Sequence, residues 1–320
     1  MAKFEKENYS NEEESEIYEP RVLTDEEANQ CLRTLGRTIS NNYAFVELDV
    51  SYRNLTDVRV IPSFRYVRYV NVSGNKLTSE AFQVLETMQY LEKLQADQNL
   101  LISAELRPMD SLQELTLNQN KLTFAGTSVI SHKFLKYLEL NYNLINTVVF
   151  EAEELPNLTI LELRDNALIT TAGICCSNLR RLFLAKNQIE KIEDLGNLQE
   201  LKTIHLRSNN LVNLDGFSDK CRNLVHINLR DNKISKISEL KKLSCLKNLE
   251  TLIIRENPFL LQIGQEEEGR KYRHIVLAML PRLKRIDKEF VLDQERNEAK
   301  KLLETMRKEE RNFTYFDLKD

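Results

Sequence analysis

Apolar residues recur in this chain in one fixed pattern, which returns about ten times between Phe45 and Asn257. Each copy reads Leu-x-x-Leu-x-Leu-x-x-Asn-x-Leu, and its asparagine position, here called the landmark, aligns the copies with one another. Successive landmarks lie 21 to 25 residues apart. A repeat of this length predicts a solenoid, in which each copy packs on its neighbours. The landmarks are Arg53, Asn75, Asn99, Asn120, Asn143, Asn166, Asn187, Asn209, Asn232 and Asn257.

The spacing inside each copy predicts a short strand followed by a turn. Leu161 and Leu163 alternate with polar residues, so both point to one face of a strand. Asn166 then lies where the chain leaves the strand, and its amide can donate to and accept from the backbones of neighbouring copies. We therefore predict an α/β repeat fold, a leucine-rich repeat solenoid with a parallel concave sheet. The landmark asparagines from Asn75 to Asn257 are expected to form a structural ladder.

The N-terminal end predicts an acidic tail and then a cap. Residues 1–19 carry seven glutamates and two lysines, which favours a disordered tail. Thr24 and Glu27 match a capping box, and apolar residues follow at helical spacing as far as Ile39. Residues 20–44 are therefore expected to hold a capping helix, spanning 24–40, which covers the open end of the first repeat.

The C-terminal end predicts a second cap and a charged helix. After Asn257 the repeat period ends, and residues 272–287 carry a helical apolar pattern that closes with a last Leu-x-x-Ile. This stretch resembles the C-terminal cap of cytoplasmic leucine-rich repeat proteins, so the solenoid with its cap is assigned to 45–288. Residues 289–320 are predicted as a charged helix and an aromatic tail, and residues 313–316 either fold back on the cap or dock on a partner.

Charge and cysteine usage narrow the class of protein. The net charge of −4 gives no support for nucleic-acid binding. The five cysteines show no Cys-x-x-Cys spacing and no apolar leader is present, so a reduced intracellular compartment is expected. No run of eighteen apolar residues occurs, and no membrane partner is therefore expected.

The chain has none of the common catalytic motifs. A glycine-rich phosphate loop, a His-Glu-x-x-His sequence and a nucleophile elbow are all absent from the sequence. His205 and His226 occupy adjacent copies and could approach each other, but no cysteine or carboxylate joins them at repeat spacing. We expect neither a metal site, nor a cofactor, nor enzyme activity.

The positions between the leucines predict a binding surface. Two residues before the landmark, the C-terminal half carries an arginine stripe, which either binds a partner or is neutralised by the acidic neighbours Asp165, Asp231 and Glu256. Arginine and aromatic residues commonly anchor protein interfaces. The hypothesis is that the concave surface docks an acidic or amphipathic segment of a partner protein. Its candidate residues are Tyr137, Tyr142, Arg164, Phe183, His205, Arg207, Arg230 and Arg255.

Four local sequences, together with both ends of the chain, point to a narrower family. They are residues 179–187, residues 215–218, residues 228–232, and the cap exit at residues 285–290 with its charged helix. In combination they resemble leucine-rich repeat proteins of the radial spokes in motile cilia and sperm flagella, over nearly the whole chain. The resemblance implies a noncatalytic scaffold of the axonemal cytoskeleton, bound to other radial spoke proteins in a large hetero-complex and needed for ciliary or flagellar motility.

Two other classes share the repeat. A regulatory or targeting subunit of a cytosolic or nuclear protein phosphatase would have a similar solenoid, but such regulators usually anchor through acidic and aromatic concave residues. The strongest stripe here is basic, which makes the phosphatase subunit the second alternative. A ribonucleoprotein scaffold would need a basic surface, and the net acidity argues against it.

Overall fold

A computed structural model describes residues 19–38, 41–126, 130–151, 153–262 and 271–316, with side chains throughout except at 262, 271 and 306–316. The predicted acidic tail, apart from Glu19, lies outside these residues. The strands are β1 (Leu32–Arg37), β2 (Tyr43–Asp49), β3 (Tyr69–Asn71), β4 (Lys93–Gln95), β5 (Glu114–Thr116), β6 (Phe124–Gly126), β7 (Tyr137–Glu139), β8 (Thr147–Val149), β9 (Ile160–Glu162), β10 (Arg181–Phe183), β11 (Thr203–His205), β12 (His226–Asn228), β13 (Thr251–Ile253), β14 (Arg285–Ile286) and β15 (Glu289–Phe290).

Thirteen of these strands form one continuous sheet, in the order β1-β2-β3-β4-β5-β7-β9-β10-β11-β12-β13-β14-β15. Neighbours from β2 to β14 pair in parallel, and equivalent positions of successive repeats face each other. The outer strands β1 and β15 pair antiparallel with their neighbours. A separate parallel pair, β6 with β8, lies outside this sheet. The predicted leucine-rich repeat solenoid is confirmed.

The helices are short except at the C-terminal end. They are α1 (Asp25–Gln30), α2 (Ser79–Gln83), α3 (Phe259–Gln262), α4 (Lys271–Met279) and α5 (Asp293–Phe316). Short 3₁₀ segments occupy Ile61–Ser63, Val84–Thr87 and Leu195–Asn197, and a longer one of nine residues spans Ile237–Cys245. None of the helices in the described ranges is long and apolar enough to cross a membrane.

The repeat leucines fill one core. Leu158, Leu161 and Leu163 have no exposed surface, and the same cluster extends from Leu23 to Ala299. Burial of a leucine side chain contributes roughly 1.5–3 kcal/mol, and each repeat supplies several. The core therefore needs no disulfide, and all five cysteines are free thiols.

The N-terminal cap differs from the prediction of one helix over 24–40. The capping box is present, since Thr24 Oγ1 accepts from Glu27 N at 3.3 Å and Glu27 Oε2 accepts from Thr24 N at 3.2 Å. The helix nevertheless ends at Gln30, and β1 then pairs with β2 in the register Leu35↔Phe45. The helical spacing of Leu35 was a coincidence, because its side chain is 63% exposed. An antiparallel strand forms hydrogen bonds with the backbone groups along the open edge of β2, which a helix cannot do.

At the C-terminal end, α5 packs on α4 through the apolar positions of its first half. Ala299 is buried, and Leu303 lines a small cavity together with Leu277 and Pro281 of the preceding segment. The helical backbone continues through residues 313–316, so the predicted aromatic tail belongs to α5. The contacts of those aromatic side chains lie outside the described residues.

Candidate protein-binding surface

A left-handed backbone residue shapes the concave edge in every repeat. The residue directly before the landmark has a φ between +53° and +67° in all ten copies, from Tyr52 to Glu256. This residue lies in the turn that follows the strand. Its backbone N–H donates to the next repeat, as in Tyr142 N to Arg164 O at 2.8 Å. The residue before it in sequence is therefore held on the concave face, while Tyr142 itself stands exposed at the rim.

The landmark asparagines form the predicted ladder below this edge. Asn209 Nδ2 donates to Leu184 O of the preceding repeat at 2.9 Å and to Leu206 O of its own repeat at 3.0 Å. Its Oδ1 accepts from Ile189 N at 2.9 Å. The same three bonds recur at Asn187, which is also buried. Each asparagine thus joins two repeats and holds the strands in register. The other ladder members are Asn75, Asn99, Asn120, Asn143, Asn166, Asn232 and Asn257.

Beyond the last landmark, a carboxylate takes the place of a backbone carbonyl as hydrogen-bond acceptor. Asp287 is 3% exposed, and its Oδ1 accepts from Ile254 N at 2.8 Å and Arg255 N at 3.1 Å. In earlier repeats the N–H equivalent to Ile254 N donates to a backbone carbonyl of the next strand. Tyr272 donates its hydroxyl hydrogen to the other oxygen of Asp287 at 2.6 Å, and burial together with this carboxylate raises the pKa of Tyr272. Asp287 thus takes the place of a carbonyl of a following repeat, and β14 with the antiparallel β15 completes the sheet.

The N-terminal half of the concave face carries a connected row of carboxylates and amides. Asp97 accepts from Asn118 N at 2.7 Å, and burial raises the pKa of its carboxyl group. Asn118 Nδ2 donates to Glu139 at 2.7 Å, and Asn141 Nδ2 donates to Glu162 at 3.1 Å. The sequence places these side chains on one face but did not single them out. Their signal is that two neighbouring strand positions carry them in successive repeats: Asp97, Asn118 and Asn141 lie two residues before the landmark, and Glu139 and Glu162 lie four residues before it.

A column of rings crosses the middle of the surface. The Arg164 guanidinium lies 4.4 Å from the centroid of the Phe183 ring, and Phe183 meets His205 edge-on at 4.8 Å. The His205 and His226 rings follow at 5.1 Å. Burial, reinforced by His226 and Arg164, lowers the pKa of His205 to about 4, and burial also lowers the pKa of His226. Both histidines are therefore neutral near pH 7.

His205 and His226 lie next to each other, as their repeat positions suggested, but no third metal-binding side chain joins them in the described residues. No group of three histidine, cysteine, aspartate or glutamate side chains able to hold a metal ion exists within the described residues. In the same part of the chain, His226 Nε2 is buried without a hydrogen-bond partner. The pair contributes an apolar, aromatic contact surface.

Three of the four stripe arginines are paired with carboxylates. Arg164 lies 2.7 Å from Glu162, two residues earlier on the same face. Arg230 Nε lies 2.8 Å from Glu256 Oε2 of the next repeat. Arg255 lies 3.0 Å from Glu289 of the cap. The pairing differs from the one suggested by the sequence. Asp165 pairs with Lys186, Asp231 accepts from Ser208, and Glu256 pairs with Arg230 of the preceding repeat and not with its neighbour Arg255.

Arg207 remains as the unpaired cation of the stripe. It is exposed, and within the described ranges its guanidinium has no ion-pair partner. It lies two residues after His205, in the repeat that follows the repeat of Phe183. Tyr137 lies in the acidic half, where its hydroxyl approaches Glu162 at 3.4 Å, and burial raises the pKa of this tyrosine. The structure thus divides the candidate residues into an acidic half with Tyr137 and an aromatic and basic half around Arg207.

Comparison of the chain with known proteins identifies its family. A model described as Leucine-rich repeat matches residues 161–312. The leucine-rich repeat-containing protein 23 of Bos taurus is 37% identical over 279 residues, which are 87% of this chain and 78% of the relative. The Homo sapiens protein of that name is 36% identical, over 91% of this chain and 82% of the relative. The Xenopus tropicalis protein is 37% identical, over 80% of this chain and 71% of the relative.

These alignments span the repeats and the cap. Solenoids of this kind present an extended concave surface for binding. The chain therefore belongs to the leucine-rich repeat-containing protein 23 family, and its role is protein–protein interaction through a leucine-rich repeat solenoid.

Proposed function

We propose that this protein is a noncatalytic scaffold of the axonemal radial spoke in motile cilia or sperm flagella, where it binds other spoke proteins in a large hetero-complex. The observation that carries the proposal is membership of one family over most of the chain. The cap exit supports it too, because residues 285–290 resemble the equivalent stretch of the radial spoke proteins.

The concave surface supplies the contact in this proposal. Arg207 offers an unshared positive charge, and the Phe183 and His205 rings beside it offer apolar area. Aromatic and arginine side chains at the centre of an interface provide most of its binding energy. An amphipathic partner segment places a carboxylate on Arg207 and an apolar side chain on the Phe183–His205 pair. The charges of Arg164, Arg230 and Arg255 are offset by their carboxylate partners, so these side chains contribute contact area to the surface and little net charge.

Extraction of demembranated axonemes tests the proposal. The full chain is expressed in ciliated cells, the membrane is removed with detergent, and the axonemes are washed with rising salt. We expect the protein to stay with the axoneme after the detergent step and to leave only with the spoke proteins. Quantitative recovery in the detergent supernatant contradicts the proposal, and it is the outcome expected of a phosphatase regulatory subunit.

A further inference from the structure

A second surface lies at the N-terminal end, away from the concave arginines. The hairpin of β1 and β2 is longer than the later strands, because β2 spans seven residues where the following strands span three. A groove of about 510 Å³ lies between this hairpin and the side of the next repeats. We call it the hairpin groove, and its lining includes Arg37, Val46, Tyr66, Arg68, Tyr90 and Glu92.

The tyrosines of the hairpin groove occupy a position where four other repeats carry asparagine. Nine residues before the landmark, Asn157, Asn178, Asn223 and Asn248 each donate Nδ2 to a backbone carbonyl of the preceding repeat, at 2.7 to 2.9 Å. Tyr66 and Tyr90 hold the equivalent position and are 55% and 41% exposed. Neither hydroxyl has a hydrogen-bond partner among the described residues. Packing of the solenoid therefore does not explain these two aromatic side chains.

The rim of the hairpin groove carries excess positive charge. Arg68 lies 3.4 Å from Glu92. Arg37 donates to Asn41 Oδ1 at 3.4 Å and lies 5.8 Å from the centroid of the Tyr43 ring, and no carboxylate pairs with it in the described ranges. Two guanidinium groups thus face one carboxylate at the rim. Charge complementarity calls for an acidic occupant.

The hairpin also presents an open strand edge. β1 is the first strand of the sheet and pairs only with β2 in the part of the chain that the structure describes. Thr34 has a φ of +49° and interrupts the extended backbone of β1, so the regular edge beside the groove is the stretch from Leu35 to Arg37. An extended peptide can add to such a sheet edge while its side chains enter neighbouring pockets. β1 ends at Arg37, which lines the groove.

We propose that the hairpin groove binds an extended acidic segment of a partner protein. One apolar side chain of that segment lies between Val46 and the two tyrosines, and a flanking carboxylate pairs with Arg37. This surface is separate from the concave face, so the protein joins two partners at once.

Binding of synthetic peptides to the full chain tests this proposal. The probes are a short peptide that alternates leucine and glutamate and its analogue with lysine in place of glutamate, both followed by fluorescence anisotropy. We expect the glutamate peptide to bind at least about tenfold more tightly than the lysine peptide. Equal binding of the two peptides, or no binding of either, overturns the proposal.

Substitution by the residue of the other repeats keeps the fold and removes the aromatic floor. Tyr66→Asn with Tyr90→Asn is expected to weaken the glutamate peptide about tenfold or more, and Arg37→Gln to weaken it severalfold. Phe134→Asn is the matched control, because Phe134 holds the same repeat position, is 46% exposed and lies outside the groove lining. Unchanged affinity in the tyrosine and arginine variants, or equal loss in the Phe134 variant, overturns the proposal.

The acidic segment at the N-terminus of the chain is the competing occupant. Residues 1–18 contain six glutamates, and these are replaced by glutamine in one further variant. We expect the glutamate peptide to bind this variant and the native chain alike. If only the variant binds it, the native groove is filled by its own chain and the proposal of a separate partner is overturned.

Discussion

Asn209 illustrates how one side chain joins two repeats. Its amide forms four hydrogen bonds to backbone groups, two in the preceding repeat and two in its own, and both repeats lose these bonds if the amide is removed. A buried backbone group left unpaired costs about 1–3 kcal/mol. The fold therefore depends on the landmark residues individually as well as on the leucines.

Asn209→Ala is expected to lower the free energy of unfolding by roughly 2–4 kcal/mol, because buried backbone groups lose their partners. Urea unfolding followed by circular dichroism measures the change. Asn210→Ala is the control, since only the backbone of Asn210 contributes a hydrogen bond, to Ile189 O. Equal stability of the two variants contradicts a structural role for the ladder.

Gly216 occupies a position that excludes any Cβ. Its φ is +99°, and a Cβ atom there would lie 2.1 Å from the backbone oxygen of Ile192. We expect Gly216→Ala to destabilise the fold by about 2 kcal/mol or more, through backbone strain and steric displacement. Gly196→Ala is the control, because its Cβ would meet only the Lys220 side chain, at 3.1 Å. Thermal unfolding compares the variants, and similar melting temperatures contradict this expectation.

His205 and His226 make stability depend on pH. Their pKa values are lowered in the folded state, so the unfolded chain binds protons more readily as pH falls below its ordinary histidine value of about 6.5. Stability is then present above that value and is lost as pH falls toward about 4, the folded pKa of His205. We expect the native chain to lose on the order of 1 kcal/mol more than the His205→Gln, His226→Gln variant between about pH 7 and about pH 5.

Urea midpoints at the two pH values measure this difference. His132 provides a common background, because burial lowers its pKa to about 4 in both proteins. An identical pH dependence in the native chain and the double variant refutes the assignment of the effect to the concave pair.

At the scale of elements, a buried ion pair attaches α5 to the cap. Arg273 is 3% exposed and binds Glu295 through two nitrogens, while Nη1 donates to Ile286 O at 2.8 Å. Glu295 also accepts from Leu292 N at 2.8 Å, at the start of α5. The pairing lowers the pKa of Glu295, and removal of one partner leaves the other charge buried and unpaired.

Glu295→Ala is expected to release α5 from the cap at a cost of roughly 3 kcal/mol. Hydrogen exchange should then increase across residues 293–305 and stay unchanged in β5 to β11. Gln294→Ala is the control, because Gln294 is exposed and bonds only Glu298 within α5. Unchanged exchange in α5 of the Glu295 variant means that another contact holds the helix.

Some of these elements could be predicted from the sequence and others could not. The leucines and landmark asparagines follow from one repeated spacing, because every copy places them in the same environment. The strand β1 does not follow, because its conformation depends on pairing with residues 43–48 of β2 and overrides a local helical pattern. The partners of Arg230 and Arg255 were equally hidden, since Glu256 and Glu289 approach them only when repeats and cap stack.

At the scale of the whole molecule, the concave surface changes character along the solenoid. Its first half is a network of carboxylates and amides that largely satisfies itself, as Asp97 and Asn118 show. Its second half pairs most of its arginines and leaves Arg207 exposed. The sequence predicted a broad arginine stripe. Within the described residues, stacking of the repeats leaves Arg207 as the one stripe arginine without a salt bridge, beside an aromatic pair.

Axonemal retention of a charge-reversed variant tests the role of the concave surface. Arg207→Glu reverses the charge of the one stripe arginine without a salt bridge in the described residues, while Lys233→Glu makes the same change at an exposed residue just after a landmark. Both variants are expected to keep the melting temperature of the native chain, which thermal unfolding verifies. Demembranated axonemes are expected to retain the Lys233 variant and to lose most of the Arg207 variant at moderate salt. Equal retention of the two variants contradicts binding through the concave surface.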